Sequence, residues 1–249
     1  MSGEPGRRAQ ACAWLRGLAQ APVLQAPAVK LCGLSCERDV DAALEAGADL
    51  LGFVSDVSAS RRSVGPARLA ELCVRVHARA SGSPAGPPWC VGVFVDEPIA
   101  PLVALLAQGP DAPGPDLVQL HGHEDAAYIA ELRRALGAVG EDVGIIQAFR
   151  IHEPADVARA NASAADMVLL DAGAGCGQSF DWSLARLCTR PFFLAGGLCH
   201  GNLAQAAAQV RPWGVDTSSG IETDGKKDPM KMKAAVHAVR GEKGAHTYE

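Results

Sequence analysis

Eight short apolar runs, separated by stretches of helical character, make up most of this chain. The runs begin near Val29 (VKLCG), Leu50 (LLGFV), Trp89 (WCVGVFV), Leu117 (LVQL), Val143 (VGIIQAF), Met167 (MVLLD), Pro191 (PFFLAGG) and Trp213 (WGVDTSS). They are apolar throughout, so each is expected to be a strand covered on both faces. Segments 37–46, 66–79, 124–136, 154–161 and 202–210 between them carry helical character, and Gly47 is placed to end the first. Buried strands alternating with helices make a parallel sheet coated by helices, and eight such units predict a single α/β domain of the (β/α)8 or TIM-barrel class.

Composition narrows the partners. The 249 residues hold 28 acidic and 23 basic side chains, a formal charge of -5, with no basic block for nucleic acid or an anionic membrane. An anionic ligand must therefore be captured locally. No apolar run reaches the roughly 18 residues needed to cross a bilayer, and the N-terminus lacks the apolar core of a secretory signal, so a soluble, cytoplasmic protein is expected. Eight cysteines (12, 32, 36, 73, 90, 176, 188, 199) lie scattered without a CxxC pair, which predicts reduced thiols. The expected division is an N-terminal extension over 1–28 with a short helix at 7–19 capping the barrel bottom, a barrel over 29–240, and a tail over 241–249. Two Gly/Pro/Ser/Ala-rich stretches, 81–88 and 109–115, read as insertions on the face away from the site.

Catalytic groups of such barrels stand at the C-terminal ends of strands and in the loops that follow. Two of these ends are built for an anion. Leu194-Ala195-Gly196-Gly197-Leu198 and Asp216-Thr217-Ser218-Ser219-Gly220-Ile221-Glu222 follow the seventh and eighth runs, and their small residues let backbone N–H groups and hydroxyls approach a phosphate. Cys32 ends the first run, followed by Ser35 as the expected N-cap of the next helix, whose dipole would favour a thiolate; a small buried hydrophobe is the alternative. Asp171 ends the sixth run, placing a carboxyl across the mouth from Cys32, either as a proton donor or as an acceptor for loop N–H groups. Arg61 and Arg62 precede Pro66, and one of them can offer a planar fork to a carboxylate. Gly173-Ala174-Gly175-Cys176-Gly177 supplies a third backbone segment, with Gly175 and Gly177 as phosphate donors. His121 and His123 form an HxH pair without further ligands, so no metal is expected; His121 is expected to line the pocket and His123 to sit near the next helix.

In order, Lys30-Leu31-Cys32-Gly33, Arg62 before Val64 and Pro66, Val118-Gln119-Leu120-His121-Gly122, Leu169-Leu170-Asp171, Phe180-Asp181-Trp182 after the glycine loop, and the two phosphate strings resemble phosphoribosylanthranilate isomerases of tryptophan biosynthesis. The likeness runs from about Val29 to about Val239. It implies an Amadori rearrangement of N-(5-phosphoribosyl)anthranilate to 1-(2-carboxyphenylamino)-1-deoxyribulose 5-phosphate, without metal or organic cofactor, by a monomer or homodimer. It further implies Asp171 as general acid, Cys32 as general base, Arg62 on the anthranilate carboxylate, Gln119 and His121 as substrate-binding residues, and Gly175, Gly177, Gly196, Gly197, Ser218, Ser219 and Gly220 around the phosphate. Cys176 stands where the family usually has Ser or Thr, and the loop between Asp171 and Phe180 is short. The competing readings are a related isomerase acting on a histidine-pathway aminoaldose, which would carry two carboxylates as its acid-base pair, and a non-catalytic phosphate-ligand barrel.

Overall fold

The computed structural model of the chain describes residues 6–20, 26–80, 88–107, 114–171 and 182–241. Its eight principal strands are β1 (Ala28–Cys32), β2 (Leu50–Ser55), β3 (Trp89–Phe94), β4 (Leu117–Leu120), β5 (Gly144–Arg150), β6 (Met167–Asp171), β7 (Phe192–Ala195) and β8 (Gly214–Thr217). Each pairs in parallel with its sequence neighbour. β8 returns to β1 through Ala28↔Gly214 to Leu31↔Thr217, so the sheet closes and the eight strands form the expected barrel. The two-residue strand Ser63–Val64 extends the end of β2, and a short hairpin of Glu222–Thr223 with Lys226–Lys227 follows β8.

Around the barrel run α2 (Glu37–Ala46), α3 (Pro66–Ala80), α4 (Ile99–Leu106), α5 (Ala126–Ala138), α6 (Pro154–Asn161), α7 (Leu203–Val210) and α8 (Pro229–Arg240), each preceded by α1 (Arg7–Gln20) at the N-terminus. Between β6 and β7 the described residues hold only the 3-10 turn Leu184–Leu187. Cys36, not Ser35, occupies the N-cap of α2, and it makes no side-chain cap bond. Asp39 instead reaches back from the first turn to accept from the Ser35 N–H at 3.0 Å, so a carboxylate satisfies the helix entrance where a serine hydroxyl was expected. Gly47 closes α2 at φ 78°, a left-handed turn that favours glycine.

Strand alternation splits the core into two shells. Outward residues such as Leu31, Leu51, Val118, Ile145, Val168 and Leu194 pack against the helices. Inward residues such as Leu50, Trp89, Leu117, Ile146, Met167 and Phe193 fill the barrel, and Ala11, Leu15 and Leu18 of α1 join that same interior cluster. Burying a leucine contributes roughly 2 kcal/mol, so α1 is anchored by its apolar face rather than by a cap or by acidic residues in its first turn, which it lacks. Ion pairs fix its register: Arg7 to Asp116 at 3.0 Å, and Arg16 to both Asp142 and Asp166 at 2.9 Å. Burial alone would raise the Asp166 carboxyl, but the Ile145 N–H, Arg16 and Arg133 hold it below the usual range.

Candidate active site

The strands present their inward side chains at the C-terminal end of the barrel around a cavity of about 500 Å³. Cys32, Gln119, Asp171 and Asp216 reach it from β1, β4, β6 and β8; Arg62 and His121 reach it from the loops after β2 and β4. Gly196, Gly197, Ser218 and Ser219 form another wall. Strand period explains the grouping, because Lys30 and Cys32, like Gln119 and His121, stand two residues apart and share the inner face.

Cys32 is buried beside a buried ion pair. Lys30 is wholly enclosed and donates to Asp216 Oδ2 at 3.0 Å. Burial pushes the Cys32 thiol above its ordinary value, while the Lys30 ammonium, and more weakly that of Lys227, pulls it back. The electrostatic partner of this thiol is therefore an ammonium rather than the α2 dipole expected from the sequence. Gly52, opposite Cys32 in register, makes room for the cluster: a Cβ there would lie 2.6 Å from Cys32 Sγ and 3.0 Å from Lys30 Nζ. Asp216 Oδ1 and Gln119 Oε1 are buried and have no hydrogen-bond partner among the described residues.

On the far wall Asp171 closes β6 next to Arg150 in register. His121 Nε2 approaches Asp171 Oδ2 at 3.5 Å, and Gln119 Nε2 lies 3.2 Å from His121 Nδ1. With the amide oriented so, Gln119 donates to Nδ1 and the ring proton sits on Nε2, facing the carboxylate. His123 points elsewhere: it is almost fully exposed and pairs with Asp96 at 3.0 Å. The HxH pair thus diverges to two separate partners.

Arg62 is the cavity-lining member of its pair, with 27% of its side chain exposed against 61% for Arg61. Its Nε and Nη2 are held by Glu222 at 2.6 and 3.0 Å, and Lys227 binds the same carboxylate at 2.9 Å. Burial would raise Glu222, but the bonds from Arg62 and Lys227 bring it down to about 2. Lys227 also donates to Ser218 O at 2.9 Å, which joins this charge cluster to the small-residue wall.

That wall depends on glycine conformation and on close loop contact. Gly196 and Gly197 have φ of 89° and 65°. Asn202 braces the turn, accepting from the Cys199 N–H at 2.8 Å and donating to Gly197 O at 3.0 Å, while Thr217 Oγ1 donates to Leu198 O at 2.6 Å. Gly220 does not line the cavity: a Cβ there would be 2.0 Å from Leu198 O, so its place is the contact between the two loops. Gly175 and Gly177 lie outside the described residues. Lys30 and Glu222 fall within quoted strand-end strings that gave them no role, and Arg150 and Lys227 fall outside those strings, although Arg150 also lines the cavity and a lysine two residues before Cys32 in a buried run marks the same inner face.

Comparison with known proteins gives a consistent result. The sequence model of N-(5'-phosphoribosyl)anthranilate isomerase matches residues 29–238. The N-(5'-phosphoribosyl)anthranilate isomerase of Rhodospirillum rubrum is 41% identical over 226 residues, covering 85% of this chain and 97% of the relative. That of Streptococcus pneumoniae is 38% identical over 215 residues, covering 85% and 95%. The crystal structure of the Thermotoga maritima enzyme superposes with a TM-score of 0.69 at 32% identity, over 86% of this chain and 99% of that one. A solved complex of such an isomerase with reduced 1-(o-carboxyphenylamino)-1-deoxyribulose 5-phosphate has a TM-score of 0.67 at 32% identity, with the same coverage.

Proposed function

Because the chain belongs to the N-(5'-phosphoribosyl)anthranilate isomerase family, we propose that its cavity carries out the Amadori rearrangement of N-(5-phosphoribosyl)anthranilate in tryptophan biosynthesis. The observation that carries this assignment to particular residues is the placement of a thiol and a carboxyl at the ends of β1 and β6, on one cavity whose remaining wall is made of glycines and serines.

In this reading the phosphate rests against Gly196, Gly197, Ser218 and Ser219, where small residues leave the backbone accessible. The protonated Asp171 gives its proton to the furanose ring oxygen, the C1–O bond breaks, and the anilino nitrogen lone pair forms the iminium. Cys32 thiolate then takes the proton from C2, the C–H electrons flow toward the iminium, and the resulting enolamine tautomerises to the ketone. Product and substrate are isomers, so no oxidant or reductant enters. His121 and Gln119 orient Asp171 through their chain of contacts, and the buried acceptors Gln119 Oε1 and Asp216 Oδ1 suit sugar hydroxyls. Arg62 presents Nη1, which Glu222 does not use, toward the anthranilate carboxylate.

The remaining assignments are of the same kind. The partner is a small phosphorylated molecule, the protein is cytoplasmic, and it works as a monomer or as a homodimer; one Thermotoga maritima relative is described as dimeric. No helix among the described residues is long and apolar enough to cross a membrane.

The test is turnover of N-(5-phosphoribosyl)anthranilate by the purified chain and by Cys32→Ser and Asp171→Asn. Each substitution should cost about 10² to 10⁴ in kcat with the fold intact, and the double variant should lose less than the product of the two. Near-normal turnover by a folded Cys32→Ser would remove Cys32 from the role of base. Preferential turnover of a histidine-pathway aminoaldose by the parent chain would replace the substrate.

A further inference from the structure

At the end of the barrel opposite the cavity, three side chains of metal-ligating type meet beneath β3 and β4. Cys73 and His77 are four residues apart on α3 and so share one helix face. Cys90 is the second residue of β3, and Asp116 immediately precedes β4. Ligand atoms of His77, Cys90 and Asp116 lie within 4.8 Å of one another. His77 Nε2 lies 3.3 Å from Asp116 Oδ2, while Cys73, one turn before His77, stays outside this cluster. Both cysteines are wholly buried and Asp116 is nearly so, while the half-buried His77 leaves a route from solvent.

Asp116 is held in place by groups that would not themselves bind a cation. Arg7 Nε donates to its two oxygens at 3.0 and 3.2 Å, and the Cys90 N–H donates to Oδ2 at 2.8 Å. Hydrogen bonds of this sort to a ligating carboxylate are what support a metal's first coordination sphere from outside. Arg7 in turn stacks over Trp89, 5.1 Å from the ring centre, and belongs to α1, which precedes the family match at residue 29.

We propose that His77, Cys90 and Asp116 form a binding site for a divalent cation of the zinc class, which fastens α3 to the barrel floor beside α1. A thiolate, an imidazole and a carboxylate make a three-ligand set of the soft-to-borderline kind that selects zinc over calcium or magnesium, with water reaching the fourth position past His77. Zinc bonds of about 2.0–2.3 Å put tetrahedral ligand atoms roughly 3.5 Å apart, so side-chain rotation needs to close the cluster by about 1 Å. This site is independent of the isomerase chemistry, since it lies at the N-terminal ends of the strands.

The experiment uses the full chain, reduced, stripped with a chelator and dialysed, with cobalt(II) as optical probe and zinc as competitor. One equivalent of cobalt should bind, with a thiolate-to-metal charge-transfer band and the visible bands of a tetrahedral ion, and zinc should displace it and raise the melting temperature. Cys90→Ser should abolish the charge-transfer band, and Cys73→Ser should leave it in place. His77→Ala, whose position is least buried and least apt to unfold, should weaken cobalt binding at least tenfold and leave kcat unchanged. Absence of the band in the reduced parent would overturn the proposal, as would a band that survives in the folded Cys90→Ser variant. Mass spectrometry that finds a Cys73–Cys90 disulfide, with no cobalt bound after reduction, would overturn it in favour of a covalent bridge.

Discussion

Gly52→Ala is the substitution for which the geometry makes the sharpest demand. The new Cβ would stand 2.6 Å from Cys32 Sγ, 3.0 Å from Lys30 Nζ and 3.1 Å from Cys32 Cα. Ordinary contact begins at 3.4 Å, so the sulfur must retreat by about 0.8 Å; the clash with Cα is with backbone and cannot be relieved by a rotamer. Overpacking of this kind costs about 1–3 kcal/mol of stability, or roughly 2–10 °C in Tm for a domain of this size. A reacting group displaced by nearly 1 Å loses on the order of 10² in rate. The expected result is therefore a folded enzyme with kcat down about a hundredfold and a modestly lower Tm. Steady-state turnover, followed through the optical change of the anthranilate ring, and a thermal melt by circular dichroism measure both. Gly137→Ala in α5 is the control: nothing lies within 4 Å of its Cβ, so it should keep full activity and gain about 0.5–1 kcal/mol. If folded Gly52→Ala kept kcat within twofold of the parent, the thiol position would not govern the reaction and Cys32 would not be the base.

Further outcomes follow from the same geometry. Arg62→Ala should lower kcat/KM at least tenfold more than Arg61→Ala; equal losses would mean that both act only by holding Glu222. Because Glu222 titrates at about 2 in the folded chain, below its unfolded value, the stability it contributes is present above about pH 4.5 and disappears as the pH falls toward about 2. The shift corresponds to about 3 kcal/mol, so Glu222→Gln should flatten the acid limb of a Tm-against-pH curve, and an unchanged limb would show that the cluster is not coupled to folding. A chelator should leave kcat of the folded chain intact, since the acid and the base are side chains; loss of turnover restored by a divalent ion would refute this.

How far such a site can be read before folding depends on whether its signal is local. Cys32, Asp171, Gly196, Gly197, Ser218 and Ser219 are legible because a strand end is a local feature and barrel topology sends every strand end to one rim. The residues alone left Arg61 and Arg62 open; the family resemblance, through Arg62 before Val64 and Pro66, chose Arg62, and it is the one that lines the cavity. Its partner was not legible, since Glu222 is 160 residues away and meets Arg62 only when β8 closes on β1. Lys30 and Asp216, 186 residues apart, pair through the same closure. Gly220 shows the opposite limit: its smallness was visible, but whether that space serves a ligand or the Leu198 carbonyl is decided by the neighbouring loop. α4 completes the ring without a helix-start signal, being apolar along nearly its whole length, whereas α8 starts on a local one, Asp228 as N-cap ahead of Pro229.

In the proposed mechanism Cys32 is the base, and its raised thiol pKa bears on how it serves. Burial makes the thiolate a stronger base by disfavouring the charged form. Strength alone would leave too little of the charged form near neutral pH. Lys30 opposes the effect of burial by placing an ammonium against the thiol, and Asp216 keeps that ammonium charged and fixed inside the barrel. The buried pair would add little stability beyond what apolar residues of similar volume provide. Its location, two residues below Cys32 on the same strand face and against the same Gly52, gives it a different use: setting how much of the base is ready when the ring opens.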